Sequence, residues 1–195
     1  MEPLRIGLLS AGARVGGNTQ KVARVLAAAL SARPGLTVDV FDREHPELPI
    51  FSERLFLRPD QKALYEPLAA RLASCEAFVF LSPEYNGGYA PAFKTFIDSV
   101  HPKLFAGKAV GVATVSAGPA GGQRAAAQIL QIALAVLAYP CPRLLMTPSV
   151  DSKFDDAGVL TDRDFDKKIS DFLDAFLWLA DAVAVKRRAV IDSPP

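Results

Sequence analysis

The segment Ala77-Phe78-Val79-Phe80-Leu81 is apolar without interruption. A strand that can bury both faces belongs in a parallel sheet covered by helices on each side. The rest of the chain follows the same plan. Leu4 to Leu9 reads as a first strand, and a helical pattern comes next, with Asn18 as N-cap and Val22, Leu26, Ala29 and Leu30 on one face. Pro34-Gly35 stops that helix before a second strand, Leu36 to Phe41. Residues 42–59 are rich in proline and charge and read as a long loop, and 60–74 as a helix. Pro91 sits at the first turn of a helix that turns Phe93, Phe96, Ile97 and Val100 to one side. Lys108 to Val115 is a fourth strand, 122–137 a helix, and Arg143 to Met146 a fifth strand. A last helix, capped by Thr161 or Asp162, runs to about Lys186, with Phe165, Ile169, Phe172, Phe176, Leu179 and Val183 inward and Trp178 outward. Strands and helices in alternation predict parallel βαβ units in one domain over 1–190, with a tail at 191–195.

Composition excludes several partners. Lys+Arg 22 against Asp+Glu 21 leaves a net charge of +1, so nothing electrostatic calls for nucleic acid or an anionic membrane. The apolar stretches are shorter than a membrane span, and no cationic leader precedes the first strand, which predicts a soluble, cytoplasmic protein. Cys75 and Cys141 lack metal-ligand spacing and read as buried thiols, with a disulfide between them left open. Asp151 to Asp156 lacks the spacing and closing Glu of a calcium loop and reads as a turn, so no metal site is expected. His45 lies in the proline-rich loop and His101 at a helix end, where the dipole explains it.

In a doubly wound sheet of five parallel strands, order 2-1-3-4-5, ligands bind beyond the carboxyl ends where the order reverses, between strands one and three. Glycine gathers in the loops there. The first loop, from Ser10 through Gly12, Arg14 and Val15 to Gly16, Gly17, Asn18 and Thr19, offers close backbone approach, a helix N-terminus and one cation, which suits a phosphate. A plain glycine-rich connection has the same composition. The loop after strand three runs Ser82-Pro83-Glu84-Tyr85-Asn86-Gly87-Gly88-Tyr89. Asn86, Gly87 and Gly88 suit a tight turn whose backbone N–H groups could meet a flat heteroaromatic ring, and neither glycine should accept a β-branched side chain. Glu84 is either a solvated loop acid, the favoured reading, or a residue orienting the turn. The loop after strand four is Ser116-Ala117-Gly118-Pro119-Ala120-Gly121-Gly122.

The octapeptide Ser82 to Tyr89, followed by Pro91-Ala92-Phe93-Lys94 and Ile97-Asp98, resembles the signature of the NADPH-dependent FMN reductase family. Arg14 and Asn18 resemble its phosphate loop, Leu48-Pro49-Ile50-Phe51 its segment after strand two, and Ser116-Ala117-Gly118 its third loop. The resemblance implies an α/β, flavodoxin-like three-layer sandwich that binds FMN. Ser10, Gly12, Arg14, Asn18 and Thr19 would take the phosphate end, Pro83, Glu84, Tyr85, Asn86 and Gly87 the ring edge, and Ser116 and Gly118 of the third loop would also bind the cofactor. It also implies NADPH or NADH as donor and a quinone, azo compound, free flavin or metal oxyanion as acceptor. The family usually carries Ser or Thr where this chain has Gly12, so modest FMN affinity is expected.

Flavin chemistry needs no catalytic side chain, and the sequence offers no Ser-His-Asp order and no other catalytic residue. The alternatives are a flavodoxin-like electron carrier, which near-neutral charge disfavours, and a flavin-bound redox-sensing scaffold, which the residues do not separate from an enzyme. A receiver-type signalling domain needs acids at the ends of strands one and three, where this chain has Leu8-Leu9-Ser10 and Phe80-Leu81-Ser82. Helix 122–137 is apolar nearly all round and exceeds the stripe one sheet face requires, which together with the resemblance predicts a homodimer or homotetramer.

Overall fold

The computed structural model describes residues 3–14, 16–42, 48–49 and 51–192, with backbone alone at 190–192. Val15, His45, Ile50 and 193–195 lie outside the described residues. The elements in order are β1 (Leu4–Ser10), α1 (Asn18–Ser31), β2 (Leu36–Phe41), α2 (Lys62–Ser74), β3 (Ala77–Tyr85), β4 (Gly88–Tyr89), α3 (Pro91–Ser99), β5 (Ala109–Val115), α4 (Gln123–Ala135), β6 (Tyr139–Pro140), β7 (Leu145–Thr147) and α5 (Arg163–Asp192). The sheet runs β2-β1-β3-β5-β6, with β7 also pairing with β5. These pairs are parallel, and the register sets Leu8 beside Val40 and Val79, and Leu81 beside Ala113.

Alternate strand residues feed two cores, as the two-residue period of a strand requires. Ile6, Leu8, Val79 and Leu81 pack with Leu26 and Leu30 of α1 and Phe172 and Phe176 of α5. Leu9, Phe78, Phe80 and Val112 pack with Leu72 of α2, Phe93 of α3 and Ile129 of α4. The result is a three-layer α/β sandwich of flavodoxin-like topology.

Several boundaries differ from expectation for identifiable reasons. The fifth strand is broken into β6 and β7 around Pro140 and Pro142: Tyr139 and Cys141 donate to the Lys108 and Val110 carbonyls on the β5 side, and the prolines take the alternate, outward positions that a sheet edge tolerates. Gly17, not Asn18, occupies the N-cap of α1 and brings no side-chain cap. On α5, Ala180 and Ala184 are buried while Leu179 and Val183 are half-exposed, since a 3.6-residue period drifts off a 4-3-4 spacing. That helix also continues to Asp192, beyond Lys186. Asp162 is its cap, accepting Phe165 N–H at 2.8 Å. Trp178 is 75% exposed, as expected. Both cysteines are free and buried, on opposite faces of the sheet, and burial pushes the Cys75 thiol up to about 12.

Lys108, expected inside the fourth strand, precedes β5 and is buried. Its ammonium donates to the carbonyls of Leu72 (2.9 Å) and Ala73 (3.4 Å) at the end of α2 and lies 5.2 Å from the Phe78 ring centre. Burial, and secondarily Arg187, lowers its pKa from 10.5 to about 8. The unfolded chain keeps this proton to the higher value, so between these limits it binds more protons than the folded protein, and stability rises with pH. Denaturant titrations between about pH 7.5 and 10 should show a rise on the order of 2–3 kcal/mol in the wild type relative to Lys108→Met. Parallel pH profiles would refute this.

Candidate functional site

The carboxyl ends of β1, β3 and β5 open into one cavity of about 750 Å³, inside the range of small-molecule sites (~300–1,000 Å³). Gly12, Arg14, Gly16, Gly17, Asn18 and Thr19 form one end. Because Gly17 leaves the N-terminus of α1 without a side-chain cap, first-turn N–H groups stay available there, a donor set that fits a phosphate. A Cβ on Gly17 would come within 3.0 Å of the Arg14 carbonyl oxygen, so the loop closes this tightly only with glycine. At Gly12 a Cβ would lie 2.8 Å from Thr19 Cβ. Thr19 thus fills the room where the resembling family carries Ser or Thr.

The other end is a β-hairpin, where the sequence predicts a loop with a tight turn. β3 runs on to Tyr85 and turns through Asn86 and Gly87, and β4 returns antiparallel, pairing Glu84 with Tyr89 and Tyr85 with Gly88. Asn86 (φ 51°) and Gly87 (φ 82°) both have positive φ, as a two-residue hairpin of type I′ requires. Gly88 is a paired strand residue, so of the two grounds for excluding a β-branched side chain there, positive φ and close approach to a ring, the first holds at Gly87 alone. Ser82 braces the base: its hydroxyl accepts Ala90 N–H at 2.9 Å and donates to the Pro83 carbonyl at 3.0 Å.

Glu84 overturns the favoured reading of a solvated acid. Its Oε2 accepts the N–H groups of Arg124 (3.1 Å) and Ala125 (3.2 Å), and so caps α4 from another part of the chain. Gly122 at the N-cap of α4 supplies no side chain, and a carboxylate there also meets the positive end of the helix dipole. Gln128, one turn along, donates to the Gly87 carbonyl at 3.1 Å. Helix α4 therefore holds the hairpin at two points. Gln128 carried no sequence signal, since its partner is a backbone oxygen 41 residues away.

The walls between the two ends come from Pro83, Tyr85, Asn86, Tyr89, Val115, Ser116 and Val150, a slot of mixed polarity with two phenol rings. Nine of the twelve expected positions line the cavity: Gly12, Arg14, Asn18, Thr19, Pro83, Glu84, Tyr85, Asn86 and Ser116. The other three do not. Ser10 is buried and faces a separate recess with Gln20, Arg24, Val40 and Asp42. Gly87 forms the hairpin tip, and Gly118 fastens the third loop by accepting Ser149 N–H at 3.1 Å. Arg14 lies 4.9 Å from the Tyr85 ring centre, so a side chain of one end rests on the other. Asn18 donates through Nδ2 to Asp151 Oδ1 at 2.6 Å, a partner the sequence did not suggest. Lys94 and Asp98, in the segment after the octapeptide, form an ion pair at 2.5 Å along α3. No helix among the described residues is long and apolar enough to cross a membrane.

A family model described as NADPH-dependent FMN reductase matches residues 4–150. A probable NADPH:quinone oxidoreductase 2 of Oryza sativa subsp. japonica is 25% identical over 176 residues, spanning 87% of this chain and 85% of that protein. Among solved structures, the flavoenzyme FerB, an NAD(P)H:(acceptor) oxidoreductase from Paracoccus denitrificans, superposes with a TM-score of 0.74 at 21% identity, over 92% of this chain and 98% of its own. An azoreductase from Bacillus anthracis superposes at 0.57 with 16% identity, over 94% and 99%. These two structures share the fold.

Proposed function

The chain belongs to the NADPH-dependent FMN reductase family, and from that premise we propose that its strand-end cavity holds FMN, with the phosphate on the first turn of α1 and the ring edge against the β3–β4 hairpin. One observation carries this reading: an uncapped helix N-terminus and the β3–β4 hairpin stand at the two ends of a single cavity. When bound, FMN supplies the hydride chemistry between a nicotinamide and an acceptor. The chain's residues bind and orient. The N–H groups of Asn18 and Thr19 and the Arg14 guanidinium meet the phosphate, the hairpin backbone meets the polar ring edge, and Tyr85 and Tyr89 flank it. Glu84, Gln128 and Ser82 keep the hairpin in place.

The donor is NADPH or NADH. The acceptor is a small molecule of the kinds the relatives' names suggest, a quinone or azo compound, or else free flavin or a metal oxyanion. Such an enzyme works where the nicotinamide pool is, in the cytoplasm. Purified protein mixed with FMN, NADPH and a quinone should consume NADPH catalytically, and a stoichiometric reduction that then stops would identify an electron carrier instead. Arg14→Ala should weaken FMN about tenfold and leave riboflavin, which has no phosphate, within about twofold. Equal losses for the two flavins, read by fluorescence quenching, would remove Arg14 from the phosphate site.

The outer side of α4 supports assembly. Leu134 is 59% exposed and Leu137 72%, with Tyr139 beside them at 55%. An apolar surface continuing across the end of one helix suits a second copy of the chain. Light scattering at tens of micromolar should give at least twice 20.9 kDa, and a 20.9 kDa species would end the dimer proposal.

A further inference from the structure

We propose that Asp151 weakens the phosphate end of the cavity by charge repulsion, so that FMN exchanges instead of staying resident; this rests on the FMN reading above. Asp151 follows Val150 in a 3-10 turn beyond β7. The turn is fixed. Ser116 N–H donates to the Thr147 carbonyl, Ser149 N–H to Gly118 and Val150 N–H to Ser116, each at 3.1 Å. The carboxylate is thus held over the start of α1, where Oδ1 accepts the Asn18 amide at 2.6 Å. A phosphate bound to the backbone N–H groups of the same first turn would sit within about one Debye length, roughly 10 Å, of that carboxylate.

A single cation stands against it. Arg14 is the one cation among the described residues lining the cavity, and its guanidinium is shared between the phosphate end and the Tyr85 ring, 4.9 Å from the ring centre. Lys21, nearly one turn along α1, lies 5.8 Å from the Phe154 ring centre. Glu84, the one carboxylate in the lining, is engaged by the N-terminus of α4 and faces the ring end. A flavin phosphate carries about −1.5 to −2 charge at neutral pH. It therefore meets one arginine and one carboxylate tethered to Asn18. Within a Debye length near a protein surface, such repulsion corresponds to about a tenfold change in affinity at low salt. Asp151 lies outside the lining, so the effect acts through space and not by blocking the ligand.

The test is equilibrium binding of FMN and riboflavin to wild type, Asp151→Asn and Asp151→Ser, read by flavin fluorescence at low and high salt. Asparagine keeps an oxygen for the Asn18 amide and removes only the charge. Both variants should bind FMN about tenfold more tightly at low salt, bind riboflavin within about twofold of wild type, and lose most of the gain at high salt. Unchanged or weaker FMN binding in Asp151→Asn would overturn the proposal and leave Asp151 as a brace for Asn18. A gain shared equally by riboflavin would overturn it as well, since riboflavin has no phosphate. If wild-type protein binds neither flavin, the FMN reading itself falls and takes this inference with it.

Discussion

Gly87→Val is expected to raise the FMN dissociation constant by on the order of a hundredfold while lowering the melting temperature by less than about 10 °C. At φ 82° a β-branched residue is a steric outlier, so the turn must rebuild with a different backbone. Rebuilding moves the Gly87 carbonyl away from Gln128 and displaces the N–H groups proposed to meet the ring. The folding cost stays small because the turn is a tip and neither core passes through it. Gly88→Val is the control. That residue is extended, and the nearest atom a Cβ would meet is the movable Gln128 Oε1 at 3.3 Å, so affinity should change by less than about threefold. Titration by flavin fluorescence decides the matter, and wild-type affinity in Gly87→Val would remove the hairpin from the ring site.

The second large effect falls on Glu84. Glu84→Ala strips the cap from α4, leaving the N–H groups of Arg124 and Ala125 without their acceptor, and should cost about 1–2 kcal/mol in denaturant unfolding. It also unties the hairpin from that helix, so FMN should bind about tenfold more weakly. Glu84→Gln keeps an acceptor oxygen and should recover most of the stability. Equal stability of Glu84→Ala and wild type would show that the cap contributes nothing.

What the sequence made legible follows from the range of the forces involved. Strands β1, β2, β3 and β5 were readable because burial on a sheet face writes a period into neighbouring residues, as in Ala77 to Leu81. The loops carrying the site were readable because glycine is required where backbone must approach a ligand or turn with positive φ, as at Gly17 and Gly87. The hairpin of β3 and β4 was missed as a hairpin, although Asn86-Gly87 is a strong hairpin signal, because Pro83 and Glu84 interrupt the apolar pattern on one side. The role of Glu84 and the Asp151 partner of Asn18 escape the sequence for another reason. The partners of these two side chains are backbone N–H groups 40 and 41 residues away and a carboxylate 133 residues away. No local pattern encodes such contacts; only the topology that brings the loops together does. Ser10 ends β1 at the switch point, but it lines the recess beside Val40 and Asp42 and not the cavity.

The break between β6 and β7 affects the protein's behaviour at high concentration. A parallel sheet normally ends in an edge whose free N–H and C=O groups invite another chain to add as a further strand. Here the outer boundary beyond β5 consists of two short pieces of two and three residues, with Pro140 in the first and Pro142 between them. An incoming strand finds two donors missing there and no straight run long enough to grip. Sheet extension is therefore blocked on that side, and only the β2 edge at the opposite end of the sheet presents a straight strand of six residues.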